Sequence, residues 1–166
     1  METQFDTEEE IVHEITDYER ERGKPMPSFQ HSKAQRNLLF QMHNSANYEA
    51  FPELNLDLNG CKSVPDIAVF SKSNLSFKED VVWVDVPPQL TVEILSPNQG
   101  LKSLFDKATK YLQNGVEEAW IVIPEIQSIT VCKPGGVQKT FVEGSVTHES
   151  TGIVVDIAQT FSSFIG

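Results

Sequence analysis

The chain has 166 residues, 39% of them hydrophobic and 22% charged, which is typical of a water-soluble globular domain with one sizeable core. It contains no apolar run near the roughly 20 residues that a membrane-spanning helix needs, and its acidic N-terminus does not resemble a signal peptide. The two cysteines, Cys61 and Cys132, are not in metal-ligand spacing. We therefore expect one cytoplasmic domain over residues 1–166, with both thiols free.

The net charge is −11, from 13 basic and 24 acidic residues. A uniformly acidic surface would repel nucleic acid. However, nine acids and two bases fall within residues 1–22, which leaves a net charge of only −4 for the rest of the chain. Two bound divalent cations would cancel that remainder. The charge therefore weakens a nucleic-acid-binding interpretation without excluding it.

The first part of the chain predicts two helices. Residues 7–20 open with a capping box, Thr7 followed three residues later by Glu10, and continue with apolar residues on one helical face. A turn rich in Gly and Pro follows. Residues 31–43 then predict a second helix.

The middle of the chain predicts strands. Alternation near the end of residues 48–58 indicates a half-exposed strand. The dipeptide at 59–60, Asn-Gly, is a hairpin signal, and it predicts the apolar run at 65–70 as the partner strand. Residues 90–95, LTVEIL, predict another strand.

The second half predicts a helix and further strands. Apolar residues at helical spacing define a helix that begins near Leu101 and ends at the Asn-Gly pair at 114–115. The apolar run 119–123 predicts a strand covered on both faces. Antiparallel strands and a short closing helix at 157–165 follow. A strand–helix–strand unit in this order predicts a mixed sheet with helices packed against it.

Two acids interrupt predicted strands. Asp66 stands at the start of an apolar strand, and Glu93 shares a strand face with Thr91 and Leu95. Because a buried carboxylate is costly unless something binds it, we expect the two acids to face one cavity and share a hard divalent cation. The alternative is that Asp66 caps a turn and Glu93 pairs with a surface lysine.

Lys107 lies at the border of the buried stripe on the predicted helix. It is about 40° from Tyr111 around the helix axis, whereas Lys110 is about 100° away on the solvated face. The stem of Lys107 can therefore lie along apolar surface while its ammonium reaches a cleft. One interpretation is a boundary lysine that simply extends its ammonium to solvent. The alternative is a cation that contacts phosphate or orients a water.

Four stretches together resemble the family of putative restriction endonucleases, formerly a domain of unknown function, in the PD-(D/E)xK nuclease-like superfamily. They cover nearly the whole chain: ERGKPMPS with His31, VPDIAVF, PPQLTVEILSPNQ and KATKYLQNGVEEAWIVIP. The resemblance implies a restriction-endonuclease-like α/β (α+β) fold. Its mixed central sheet is flanked by helices, with additional antiparallel strands toward the C-terminus.

The resemblance also assigns catalytic roles. Asp66 becomes the aspartate of the PD element and Glu93 the second acid. The superfamily lysine usually lies two residues after that acid, where this chain has Leu95. In this family the lysine instead comes from the following helix in the pattern K-x-x-x-Y, which Lys107 and Tyr111 match.

A metal set and a nucleic-acid contact are implied as well. Mg²⁺, or alternatively Mn²⁺, would be held by Asp66 and Glu93, with the Ile94 carbonyl completing the shell. Glu21 matches an acid that precedes the Gly-Lys-Pro turn and is a further candidate ligand, with Glu19 as its competitor.

His31 and Lys33 lie at the start of the second helix. They are candidate contacts for the phosphate backbone of nucleic acid, because a helix N-terminus favours anions. The alternative for His31 is a helix-start residue held by hydrogen bonds. The family often has an aspartate where this chain has Ile123, so we expect that position to be dispensable for the chemistry.

The expected function is Mg²⁺-dependent hydrolysis of phosphodiester bonds in nucleic acid, with DNA as the substrate. An inactive nuclease-fold protein that serves as a binding or dimeric module is one alternative, and a metal-dependent hydrolase of another substrate is a second. The apolar segment 81–84 around Trp83 predicts a homodimer contact.

Overall fold

The computed structural model describes residues 14–43, 47–75 and 79–163. The helices are α1 (Asp17–Arg22), α2 (Phe29–Met42), α3 (Leu101–Gln113) and α4 (Ile157–Phe161). The strands are β1 (Tyr48–Pro52), β2 (Leu56–Leu58), β3 (Cys61–Ser63), β4 (Ile67–Ser71), β5 (Leu90–Ile94), β6 (Glu118–Ile123), β7 (Ser128–Lys133), β8 (Val137–Phe141), β9 (Ser145–His148) and β10 (Ile153–Asp156). Short 3₁₀ turns follow β4 and β6.

Six strands form one mixed sheet in the order β1-β4-β5-β6-β7-β8. The neighbours β5 and β6 are parallel and are joined through α3, whereas the other neighbouring pairs are antiparallel. Two hairpins, β2–β3 and β9–β10, stand apart from this sheet. The predicted mixed sheet with helices and additional antiparallel strands is confirmed.

The first helix differs from the prediction. The predicted capping box at Thr7 and Glu10 lies outside the described residues, and residues 14–16 are not helical. A second Thr-x-x-Glu pattern caps α1 instead, because the side chains and backbone amides of Thr16 and Glu19 bond reciprocally. Gly23 ends α1 at φ 64°, a left-handed conformation that glycine adopts readily.

The Asn-Gly turn joins a different pair of strands from the one predicted. It connects β2 to the short β3, whereas β4 pairs antiparallel with β1, with Pro52 opposite Ile67. The predicted strand 48–58 is divided after Pro52, where Glu53 has φ 49°, so that β1 and β2 separate. As a result β4 lies between β1 and β5, which places the residue before β4 beside β5.

The two faces of β5 pack against different helices. Val92 and Ile94 belong to the core that includes α2 side chains. On the opposite face, Leu95 packs with α3 residues such as Leu104. Every residue of β5 is buried. Glu93 lies on the face of Leu95, as its strand period predicted, and is enclosed between the sheet and α3.

Two other expectations concern the thiols and the surface. Cys61 and Cys132 are unpaired, as predicted. Within the described ranges, no helix is long and apolar enough to cross a membrane. Val82 is 68% exposed and Trp83 41% exposed, and the homodimer contact at this segment stays a prediction.

Candidate active site

Asp66 immediately precedes β4 and is 1% exposed. Its Oδ1 accepts a hydrogen bond from Lys24 Nζ at 2.5 Å and lies 3.1 Å from His31 Nε2. Its Oδ2 accepts from the Ile94 backbone N–H at 2.7 Å, and its backbone carbonyl accepts from Gln35 Nε2. Both carboxylate oxygens are satisfied, as a buried charge requires.

Lys24 is the cation that binds Asp66. Burial lowers the pKa of the Lys24 ammonium, but the charges of Asp66 and Glu93 and the Asp66 hydrogen bond outweigh burial and raise that pKa. For Asp66, burial raises the pKa, and the His31 hydrogen bond together with the Lys24 charge outweighs it and lowers the pKa. Both shifts favour the charged forms, so the two residues are an ion pair at neutral pH.

Glu93 lies in the middle of β5 and is 3% exposed. Its Oε1 accepts from the Tyr111 hydroxyl at 2.8 Å and from Lys107 Nζ at 3.2 Å. Among the described residues, its Oε2 has no hydrogen-bond partner. Burial raises the pKa of Glu93, Lys107 opposes this, and Asp66 adds to it, so that the net shift is upward. The two acids therefore differ: Asp66 is firmly ionised, and Glu93 is the one that resists ionisation.

The helix α3 presents Lys107 and Tyr111 to Glu93 from consecutive turns. The Tyr111 oxygen is 2.6 Å from Ser63 Oγ, and since the single Tyr111 proton goes to Glu93, Ser63 is the donor of that bond. Burial and the Glu93 charge raise the pKa of Tyr111 well above its ordinary value. The side chain of Lys107 is 24% exposed, at the border that the helical period predicted.

The remaining predicted site residues fall in different places. Glu21 is exposed on α1, and the described contacts do not connect it to the Asp66–Glu93 pair. Glu19 is the buried acid of that helix, and its carboxylate accepts from the backbone of Thr16 and Met26.

The two predicted phosphate contacts also differ from each other. His31 is 3% exposed and directed at Asp66, which matches the hydrogen-bonded alternative for this residue better than a surface contact with phosphate. Lys33 is half-buried, with its ammonium 5.9 Å from the centre of the Phe29 ring.

Comparison with known proteins assigns the chain to a family. A model of the Uma2 family, described as "Putative restriction endonuclease", matches residues 3–160. The chain belongs to the Uma2 family. The chain is also similar to a crystal structure described as a putative nuclease belonging to DUF820 from Anabaena variabilis. The two are 26% identical in sequence with a TM-score of 0.75, over 82% of this chain and 83% of that one. Among curated proteins, none is similar enough in sequence to count as a relative.

The carboxylate pair of this Uma2 chain is chemically suited to a hard divalent cation, which prefers oxygen ligands. Glu93 keeps one carboxylate oxygen without a described partner, and the pair already holds the positive charge of Lys24. In residues 14–43, 47–75 and 79–163, no group of three or more His, Cys, Asp or Glu side chains is arranged to hold a metal. Two carboxylates suffice for Mg²⁺, because it retains several waters. Since both Asp66 oxygens accept hydrogen bonds, a cation bound there would share Asp66 with Lys24 or replace it.

Two members of this Uma2 cluster escaped the sequence analysis, Lys24 and Ser63. The sequence around Lys24 does carry a signal. Lys24 lies between Gly23, which ends α1, and Pro25, so the turn sets the direction of the chain at Lys24. Ser63 lies in a three-residue strand with no apolar pattern to mark it, and only the tertiary contact with Tyr111 reveals it.

We expect Glu93→Gln to be at least as stable as the unchanged Uma2 chain at pH 7 in the presence of a chelator. The pKa of Glu93 is raised from its ordinary 4.5, so the ionised carboxylate destabilises the folded state above the folded pKa. The advantage of Glu93→Gln should shrink as the pH falls through that raised pKa toward 4.5, because Glu93 then becomes neutral as well.

Urea unfolding at a series of pH values measures this difference. The exposed Glu125→Gln is the matched control, for which we expect little change at any of these pH values. A Glu93→Gln protein that is less stable than the unchanged chain at pH 7 would show that the ionised carboxylate is net stabilising.

Proposed function

We propose that this chain is a metal-dependent nuclease that hydrolyses phosphodiester bonds of nucleic acid, with DNA as the expected substrate, at Asp66, Glu93 and Lys107. The observation that carries the proposal is the arrangement of two buried carboxylates, Asp66 just before β4 and Glu93 in the adjacent β5, with a half-buried lysine on α3. Their opposite pKa shifts give the two acids different tasks, a pattern that clusters at functional sites. Membership of the family supports the same reaction.

Asp66 and Glu93 would hold Mg²⁺, or Mn²⁺, which when bound lowers the pKa of a coordinated water and neutralises phosphate charge. The chain's own residues fix the geometry. Lys24, His31 and the Ile94 amide orient Asp66, while Tyr111 holds one Glu93 oxygen and leaves the other able to accept a hydrogen bond. Such support by neighbouring residues is what holds a reactive group in a productive position.

Lys107 supplies the more accessible positive charge. The Lys107 side chain is 24% exposed, whereas that of Lys24 is buried against Asp66. Lys107 is therefore placed to contact the scissile phosphate or the attacking water, where developing negative charge is greatest. This role does not require the side chain to leave the vicinity of Glu93.

One observation favours a second candidate, an inactive nuclease-fold protein that acts as a binding module. Lys24 and Lys107 together balance the charges of Asp66 and Glu93, so the cluster is electrically neutral without a metal ion. A cluster whose charges balance internally can be retained for its structural role alone.

Cleavage assays separate the two candidates. Purified protein should degrade labelled duplex DNA in Mg²⁺, and cleavage should stop when chelator is added. Single-stranded DNA and RNA are tested in parallel to define the substrate. We expect cleavage of at least one nucleic acid that depends on the metal. Intact substrates throughout the panel, in Mg²⁺ and in Mn²⁺, would contradict the nuclease proposal and favour the binding module.

A further inference from the structure

A cavity of about 140 Å³ opens beside the Glu93 end of the cluster. Lys62 from β3 and Lys107 and Lys110 from α3 line it, and Tyr111 and Ser63 lie in its wall. We call this cavity the lysine pocket. Its described lining contains three lysines and neither aspartate nor glutamate, in a chain whose net charge is −11.

The charges in the lysine pocket are only partly balanced. Lys107 pairs with Glu93, which lies behind it. The Lys62 ammonium is 4.8 Å from the centre of the Trp83 ring. Lys62 lies opposite Asp57 on β2, but within the described residues it forms no ion pair. Lys110 is exposed and has no ion pair within the described residues. Ammonium groups gathered in this way repel one another until an anion binds between them.

A second cavity shows the contrast. It measures about 350 Å³ and is lined by Lys133 and Lys139, but Glu118 and Glu149 line it as well. Its positive charges are therefore balanced by neighbouring acids. An excess of positive charge over acid distinguishes the lysine pocket from this balanced cavity.

We propose that the lysine pocket binds a backbone phosphate of nucleic acid adjacent to the phosphate that is cleaved. This inference rests on the proposed nuclease function and deepens it. Lys107 belongs both to the pocket and to the Glu93 cluster, so an anion in the pocket lies next to the reacting group. Lysines recognise phosphate as flexible point charges and carry no information about bases, so this contact positions the strand without reading its sequence.

The test is binding of a fluorescent duplex oligonucleotide without cleavage, in chelator, measured by anisotropy over a range of salt concentrations. Loss of one phosphate contact reduces the slope of log K against log salt by about 1. We expect the double variant Lys62→Gln, Lys110→Gln to show this reduction and weaker binding at low salt. Lys62→Arg, Lys110→Arg should retain the slope of the unchanged chain.

The matched control is Lys133→Gln, Lys139→Gln, which removes the same charge from the balanced cavity and should leave the slope nearly unchanged. Melting curves verify that each variant is folded. Equal slopes of log K against log salt in the two glutamine variants would overturn the proposal that the lysine pocket binds phosphate. No binding by the unchanged chain would overturn it as well. Binding with the expected loss of slope, together with no cleavage of any substrate in Mg²⁺ or Mn²⁺, would refute the nuclease proposal and leave phosphate binding by the lysine pocket supported.

Discussion

Asp66→Asn is expected to lower the free energy of unfolding by about 3–5 kcal/mol, the range for removing one partner of a buried ion pair. Lys24 is 8% exposed and would lose its closest counter-ion while remaining enclosed. The asparagine amide can also offer only one oxygen, whereas the Asp66 oxygens accept from Lys24, His31 and Ile94. Urea unfolding at pH 7 in chelator measures the loss.

The matched control for this loss is Asp106→Asn, in which the same substitution removes an exposed carboxylate that pairs with Lys102 on α3. Its stability should change little, since water screens that pair. The pH dependence gives a second check. The pKa of Asp66 lies below its ordinary 3.8 in the folded state, so its contribution is complete above 3.8 and is lost only as the pH falls through the folded pKa. Stability of Asp66→Asn equal to that of the unchanged chain at pH 7 would contradict a stabilising ion pair.

Lys107→Ala is expected to reduce the rate of nucleic-acid cleavage by about 30- to 1,000-fold, equivalent to about 2–4 kcal/mol of transition-state stabilisation. The reason is loss of the partly exposed cation beside Glu93. Rates under single-turnover conditions, with saturating enzyme, measure the chemical step separately from binding. Melting curves taken in parallel show whether the variant is folded at the assay temperature, because removal of Lys107 leaves the buried Glu93 without this counter-ion.

Lys102→Ala is the control for that rate loss. Lys102 lies on the same helix but is exposed and pairs with Asp106, so cleavage should stay near the unchanged rate. Lys110 is unsuitable as a neutral control, although it is exposed, because it lines the lysine pocket with Lys107. Equal rate losses in Lys102→Ala and Lys107→Ala would indicate a diffuse electrostatic effect and no catalytic lysine.

Local periodicity predicted the placement of the candidate-site residues that lie on regular elements. Glu93 faces α3 because a strand alternates its side chains, and Val92 and Ile94 occupy the opposite core. Lys107 borders the buried stripe because a helix repeats every 3.6 residues. Both positions follow from hydrophobic burial within one element, which a single sequence records directly.

Contacts between segments that are far apart in the chain do not follow from local periodicity. Asp66 meets Lys24 across 42 positions in the chain, and no periodic pattern in either segment encodes that encounter. The predicted partner strand of the Asn-Gly turn was wrong for a related reason. The turn indicates a hairpin, but its actual second strand, β3, has only three residues and was too short to recognise beside the stronger apolar run of β4. Tertiary pairing then assigned β4 to the central sheet.

The role of His31 shows how one position supports two interpretations. Its location in the first turn of α2 favours phosphate binding on general grounds. Burial instead directs Nε2 to Asp66, and Nδ1 has no described hydrogen-bond partner. The choice depends on how α2 packs over the sheet, which the helix sequence alone does not determine.

Cleavage by Glu93→Gln tests the central claim most directly, because this substitution removes one carboxylate of the pair and is expected to preserve or increase stability. Duplex DNA, or whichever nucleic acid the unchanged chain degrades, would be incubated with both proteins in Mg²⁺ at pH 7 under single-turnover conditions. The proposed nuclease centre predicts metal-dependent cleavage by the unchanged chain and loss of nearly all of it in folded Glu93→Gln. Cleavage by Glu93→Gln at the unchanged rate would place the activity outside the Asp66–Glu93 cluster.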